Sequence, residues 1–141
     1  MPAAEVRILD EVLEAVAAHA RAALPDECCG LLLGAHLEIV RALPARNLTP
    51  SPTSYEIDPR DHFAALRTAR AEGLSVVGAY HSHPGADPVP SRRDLAEASF
   101  PEFVYLIMSI GRAGERGDVR AYWLEPRGAT RLEVVPFKNR R

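Results

Sequence analysis

Two histidines separated by one residue, His81 and His83, are the first side chains in this 141-residue sequence whose types and spacing suggest chemistry. They end an apolar run, at the point where it enters a stretch rich in proline and glycine at 84–90. Successive side chains of a β-strand point to opposite faces, so residues two apart project together. Two neutral imidazoles on one face make half of a zinc site. Asp94 follows after a loop long enough to fold back, and it can supply a third, anionic ligand. Three protein ligands leave one tetrahedral position open to water, which is the difference between catalytic and structural zinc.

Ser91 and Asp94 also form an S-x-x-D capping box, a local device that starts a helix with or without a metal nearby. The combined pattern H-x-H-x7-S-x2-D carries more than its parts. A shuffled chain of this composition would contain it on the order of once in a few thousand trials. Upstream, Glu27 precedes a short apolar run, and on its own it reads as an ordinary exposed acid at a strand start. The adjacent Cys28 and Cys29 cannot build a disulfide framework, because a bridge between neighbours is strained. They read as two small buried hydrophobes, with Cys29 on the same side as Glu27 if the strand is regular. His19, His36 and His62 have no partner in sequence and read as surface or core histidines.

These residues need elements to hold them. Asp10 is a candidate N-cap for a helix over 10–24 with Val12, Leu13, Val16, Ala20 and Leu24 on one face, stopped by Pro25. A buried strand is expected at 29–34, with a hairpin partner at 37–43. The segment 44–52 holds three prolines and reads as a loop. Asp58 followed by Pro59 opens a second helix running to Glu72, with Phe63, Leu66 and Ala69 or Arg70 on successive turns and Gly73 as terminator. Strands at 74–83, 103–110, 119–124 and 130–135, and a short helix from Ser91, complete the order α-β-β-α-β-α-β-β-β. The class is α/β, mixed α+β, with helices packed on a mixed sheet; strand directions stay open.

Composition narrows the function. Hydrophobic residues make up 47% and charged residues 26%, which suits a soluble globular chain, expected to form one domain over 1–141. A net charge of −2 gives no basic field for nucleic acid. No apolar run reaches the ~18 residues of a membrane span, and the acidic start lacks the pattern of a signal peptide. The expected compartment is the reducing cytoplasm.

The residues Glu27, His81-Ser82-His83-Pro84, Ser91 and Asp94 resemble the signature of the JAMM (MPN+) zinc metallopeptidases, H-[ST]-H-P-x7-S-x2-D with an upstream glutamate. Pro25 to Gly34 resembles that family's P-x-E-x-x-G-x-L-x-G stretch. Asn47 and the run Tyr55-Glu56-Ile57-Asp58-Pro59 resemble its middle portion. The resemblance implies a JAMM/MPN, cytidine-deaminase-like fold, a curved mixed sheet with flanking helices. It also implies one zinc per chain on His81, His83 and Asp94, Glu27 as general base and Ser91 as oxyanion donor. One oxygen of Asp94 is then expected on zinc and the other on the Ser91 N–H.

The reaction implied is hydrolysis of a peptide or isopeptide bond after the C-terminal Gly-Gly of a ubiquitin-like sulfur-carrier protein. That carrier is the expected partner, with a homodimer as the expected assembly and neither nucleic acid nor membrane involved. The loop at 44–55 is a candidate strand edge or flap for the extended tail. Two alternatives are a RadC-like, DNA-repair-associated protein and a non-catalytic MPN scaffold. Ser82 in place of asparagine and the lack of basic excess argue against the first, and the complete ligand set against the second. A zinc deaminase would need H-x-E and P-C-x-x-C, which are absent.

Overall fold

The computed structural model describes residues 3–139. Its elements run β1 (Glu5–Leu9), α1 (Asp10–Ala23), β2 (Cys29–Ala35), β3 (Glu38–Ala45) and α2 (Pro59–Ala71). Then come β4 (Ser75–Pro84), α3 (Arg92–Glu97), β5 (Val104–Ile110), β6 (Arg116–Glu125) and β7 (Gly128–Phe137). The mixed α+β class and the flanking helices are as expected from the sequence. The sheet order is β1-β3-β2-β4-β5-β6-β7, and β7 returns to β1 to close a barrel. Pairs β1–β3, β1–β7 and β4–β5 are parallel, and the rest antiparallel.

The closure depends on β1, a strand absent from the expected order. Val6 and Ile8 are fully buried while Glu5 and Arg7 face out, a two-residue period too short to stand out in the sequence. The same strand corrects the start of α1. Leu9 occupies the cap position with no side-chain cap, and Asp10 lies in the first turn beside Glu11, where carboxylates favour the helix dipole. The chain passes from strand to helix without a linker, so no residue is free to turn and cap. The expected Val12, Leu13, Val16 and Ala20 are buried, with Ala17 beside them, while Leu24 lies past the helix end at the C-cap and is half-buried.

Asp58 caps α2 as expected, its carboxylate accepting the Arg60 N–H at 2.9 Å, with Pro59 at the first helical position. Gly73 follows with φ 71°, the left-handed conformation glycine adopts freely. The face of α2 is a correction. Of the expected face Ala69 is buried, together with Ala65, but Phe63 and Leu66 are 62% and 47% exposed. Small side chains let the helix lie close to the sheet, which leaves the large ones outside with Phe100 as an apolar patch.

Strand β4 lies between β2 and β5, and its side chains alternate between two cores. Tyr80 joins Val16, Leu32, Leu106 and Met108 on the α1 side, while Ala79 joins Leu31, Ile107 and Ala65 on the α2 side. From Ala79 on, past the register shift opposite Leu32 and Leu33, odd-numbered residues of β4 therefore face α2, which fixes the side on which His81 and His83 emerge. Gly78 lies opposite Val104, and a Cβ there would fall inside the van der Waals surface of the Val104 carbonyl oxygen. Gly78→Ala is expected to destabilise the fold by about 1–3 kcal/mol, as overpacking does. Thermal denaturation checks this, and an unchanged melting temperature would show that β5 yields freely.

Candidate metal centre

His81 and His83 stand at the C-terminal end of β4, where the strand pairs with Cys29 on one side and with Ile107 and Ser109 on the other. Both are buried. Their Nε2 atoms lie 3.1 Å apart, and each is 3.2 Å from Oδ2 of Asp94. The three donors thus form a nearly equilateral triangle. A tetrahedral ion with bonds of ~2.0 Å sets neighbouring donors ~3.3 Å apart, so one face of such an ion matches this triangle. Two imidazole nitrogens and a carboxylate oxygen are donors that suit zinc.

The tautomer of His83 also suits ligation. Its Nδ1 lies 2.8 Å from the Asp87 carbonyl oxygen, which can only accept, so Nδ1 carries the hydrogen and Nε2 keeps its lone pair. Burial disfavours charge on His83, but Asp94, the Asp87 carbonyl and Glu27 outweigh it and hold its pKa above the ordinary value. For the fully enclosed His81 burial dominates, and its pKa falls.

Asp94 is delivered by the capping box of α3. Ser91 Oγ accepts the Asp94 N–H at 3.0 Å, and Asp94 Oδ2 accepts the Ser91 N–H at 2.9 Å. The expected division of labour between the two carboxylate oxygens is therefore corrected. A single oxygen, Oδ2, faces both imidazoles and also takes the backbone N–H. Burial pushes the Asp94 pKa up, but the adjoining His81 and His83 overcome this and hold it below the usual carboxylate range.

Glu27 precedes β2 and joins the cluster through pairing across strands. The Cys28 N–H donates to Ser82 Oγ at 2.8 Å, and the Ser82 N–H donates to the Cys28 carbonyl at 3.2 Å. These two bonds fasten Glu27 beside the histidines. Its carboxylate lies within 4.8 Å of both imidazole donors, so Glu27, His81 and His83 form a second group able to hold a metal. Glu27 is buried, and its Oε1 has no hydrogen-bond partner among the described residues. Burial pushes its pKa up to about 7, with His83 opposing, Asp94 adding and Arg93 opposing.

Two nearby residues had no role in the sequence reading. Tyr55 stacks on His81 with ring centroids 4.4 Å apart and planes at 26°. Asn47 donates from Nδ2 to the Glu27 carbonyl at 3.1 Å. Both belong to the stretch that resembled the JAMM middle portion, the one signal that pointed to them. The cysteines are the buried hydrophobes expected. Burial raises Cys28 to about 11 and Cys29 to about 12, so neither is a ready thiolate. His19 pairs with the Tyr80 hydroxyl at 2.7 Å, His62 packs near Phe100 and Phe103, and His36 is exposed in the β2–β3 turn.

Known proteins share this architecture. The family described as prokaryotic homologs of the JAB domain matches residues 9–125. A desampylase from Haloferax volcanii is 35% identical over 77% of this chain and 84% of its own length. A CysO-cysteine peptidase from Mycobacterium tuberculosis is 33% identical over 79% of this chain and 77% of its own. A protein from Desulfitobacterium hafniense, solved in solution, superposes with a TM-score of 0.85 at 30% identity, covering 95% of this chain and 94% of that one. The match spans α1 through β6, including all the residues around the donor triangle, and the chain belongs to the prokaryotic JAB-domain family.

Proposed function

We propose that this protein is a zinc-dependent peptidase or isopeptidase that hydrolyses the bond after the C-terminal Gly-Gly of a ubiquitin-like sulfur-carrier protein. One observation carries the reading: a zinc-sized donor triangle faced by a buried carboxylate whose Oε1 has no hydrogen-bond partner among the described residues. Relatives named as a desampylase and a CysO-cysteine peptidase support the substrate class. The two free, buried cysteines fit a reducing compartment, and the reading places the activity in the cytoplasm.

His81, His83 and Asp94 would hold the metal. Bound zinc would supply an acidified water and a Lewis-acid contact for the scissile carbonyl. Glu27 takes a proton from the attacking water and returns it to the leaving amine, a task suited to a pKa near neutrality. Ser91 Oγ accepts the Asp94 N–H and keeps its own hydrogen free to donate to the oxyanion.

The expected flap at 44–55 divides in two. Pro44 and Ala45 belong to β3, and the rest folds back toward Glu27. β1 reaches only Glu38 and Ile39 of β3, so 41–45 pairs with β2 alone and offers an edge for an extended tail. Pro44 fits such an edge, since proline lacks a ladder donor. A hollow of about 430 Å3 borders Tyr55 and is lined by Ile57, His62, Phe100 and Phe103. It suits an apolar side chain of the tail, and the exposed Phe63, Leu66 and Phe100 suit the body of the carrier.

The test is incubation of zinc-loaded protein with a ubiquitin-like sulfur carrier bearing a peptide after Gly-Gly, read by mass spectrometry. Cleavage after the second glycine, abolished by chelator, is expected. Chelator-resistant cleavage or an intact carrier would overturn the reading. Ser91→Ala should lower kcat by about 100-fold, as loss of an oxyanion donor does. It should keep its zinc and lose about 1 kcal/mol of stability with the cap. Undiminished turnover with zinc in place would remove Ser91 from the mechanism.

A further inference from the structure

We propose that Asn47 is a positioning residue, which sets the place of the Glu27 carboxylate by holding the Glu27 backbone from the 46–57 segment. This rests on Glu27 being the base. Among the described residues the Glu27 Oε1 has no hydrogen-bond partner, so its aim depends heavily on where the main chain puts it. That main chain is held at both polar groups by one segment. The Glu27 N–H donates to the Ser51 carbonyl at 2.8 Å, and the Glu27 carbonyl accepts from Asn47 Nδ2 at 3.1 Å.

Asn47 is built for this. Its Oδ1 accepts the N–H groups of Thr49 and Glu56, each at 3.0 Å, which closes the neck of the segment. A backbone bridge between Asn47 and Ile57 and the bond from Leu48 N–H to the Glu56 carbonyl narrow the same neck. With Oδ1 committed to two donors, and the Glu27 carbonyl able only to accept, the orientation of the amide is fixed by its partners. The far side of the neck bears Tyr55, stacked on His81. One segment thus touches the base through its backbone and a metal-facing imidazole through its ring, and Asn47 ties the two ends together.

The amide chemistry separates a positioning role from a purely structural one. Asn47→Asp keeps an oxygen for Thr49 and Glu56 but sets a second oxygen against the Glu27 carbonyl, so the neck survives and the tether does not. Asn47→Ser can still accept from Thr49 and is too short for Glu27, and serves if the aspartate variant fails to fold. The probe is a ubiquitin-like protein with a peptide after its C-terminal Gly-Gly, and the chain is used whole and zinc-loaded. Displacement of a catalytic group by about 1 Å costs on the order of 10- to 100-fold. Asn47→Asp should lower kcat by that factor with KM and zinc content unchanged, and should add nothing in a Glu27→Gln background. Wild-type kcat, or a full additional loss in the double variant, overturns the proposal. Crystal structures of wild type and Asn47→Asp give a second reading, in which the Glu27 carboxylate should move by about 1 Å relative to the two imidazoles. An unmoved carboxylate overturns the proposal. A wild-type protein that cleaves nothing overturns the assigned reaction instead, and the crystallographic comparison still decides the role of Asn47.

Discussion

Glu27→Gln is expected to lower kcat by about 100- to 10,000-fold, the usual worth of a general base, while zinc stays bound. Glutamine keeps the shape of the side chain and removes the proton acceptor. The prediction also decides between two carboxylates that face the same imidazoles. Asp94 Oδ2 sits 3.2 Å from each Nε2 and accepts the Ser91 N–H, whereas Glu27 makes no hydrogen bond to either imidazole, has an Oε1 with no partner among the described residues and has a pKa near neutrality. A ligand must be ionised and close; a base must be able to gain and release a proton. If Glu27 were instead the third ligand, Glu27→Gln would empty the site and Asp94→Asn would keep it filled. Metal analysis of both variants, beside single-turnover cleavage, gives the answer.

The second large effect concerns stability. Zinc at one hundred times its dissociation constant should stabilise the wild type by about 2.7 kcal/mol, which for a chain of this size raises the melting temperature by roughly 10 °C. Asp94→Ala should show no zinc-dependent rise. Without metal the variant should still melt below the wild type, because the Ser91 N–H loses its acceptor and the capping box keeps only the Ser91 Oγ half, at a cost of about 1 kcal/mol. Melting curves with chelator report the cap, and the increment on adding zinc reports ligation. A zinc increment in Asp94→Ala equal to that of the wild type would remove Asp94 from the ligand set.

The histidines and Asp94 could be found in the sequence because local rules place them. Alternation along a strand puts His81 and His83 on one face, and a capping box sets Asp94 at the first turn of α3. Glu27 follows no such rule. It reaches the histidines only through the β2–β4 pairing of Cys29 with His81, so without the family resemblance it read as an exposed acid. Asn47 and Tyr55 lay in a segment whose prolines announce a loop but say nothing of side chains turned inward. The face of α2 misled for a related reason. Hydrophobic period finds large apolar residues, yet close packing on the sheet selected Ala65 and Ala69. The use of one Asp94 oxygen for two purposes is a matter of orientation, which spacing does not encode.

The seam between β1 and β7 has a consequence for how the chain acquires its structure. Residues Glu5 to Leu9 pair with Glu133 to Phe137, so the barrel's last seam joins segments from opposite ends of the described chain. Loop closure over such a separation is entropically slow, whereas the β2–β3 and β5–β6–β7 hairpins are local. On a ribosome the hairpins and α1 can form early, but the seam must wait until β7 has emerged. Until then Val6 and Ile8 have no β7 neighbour to cover them. This nascent interval, more than the finished barrel, is when the chain is most open to aggregation and most dependent on chaperones.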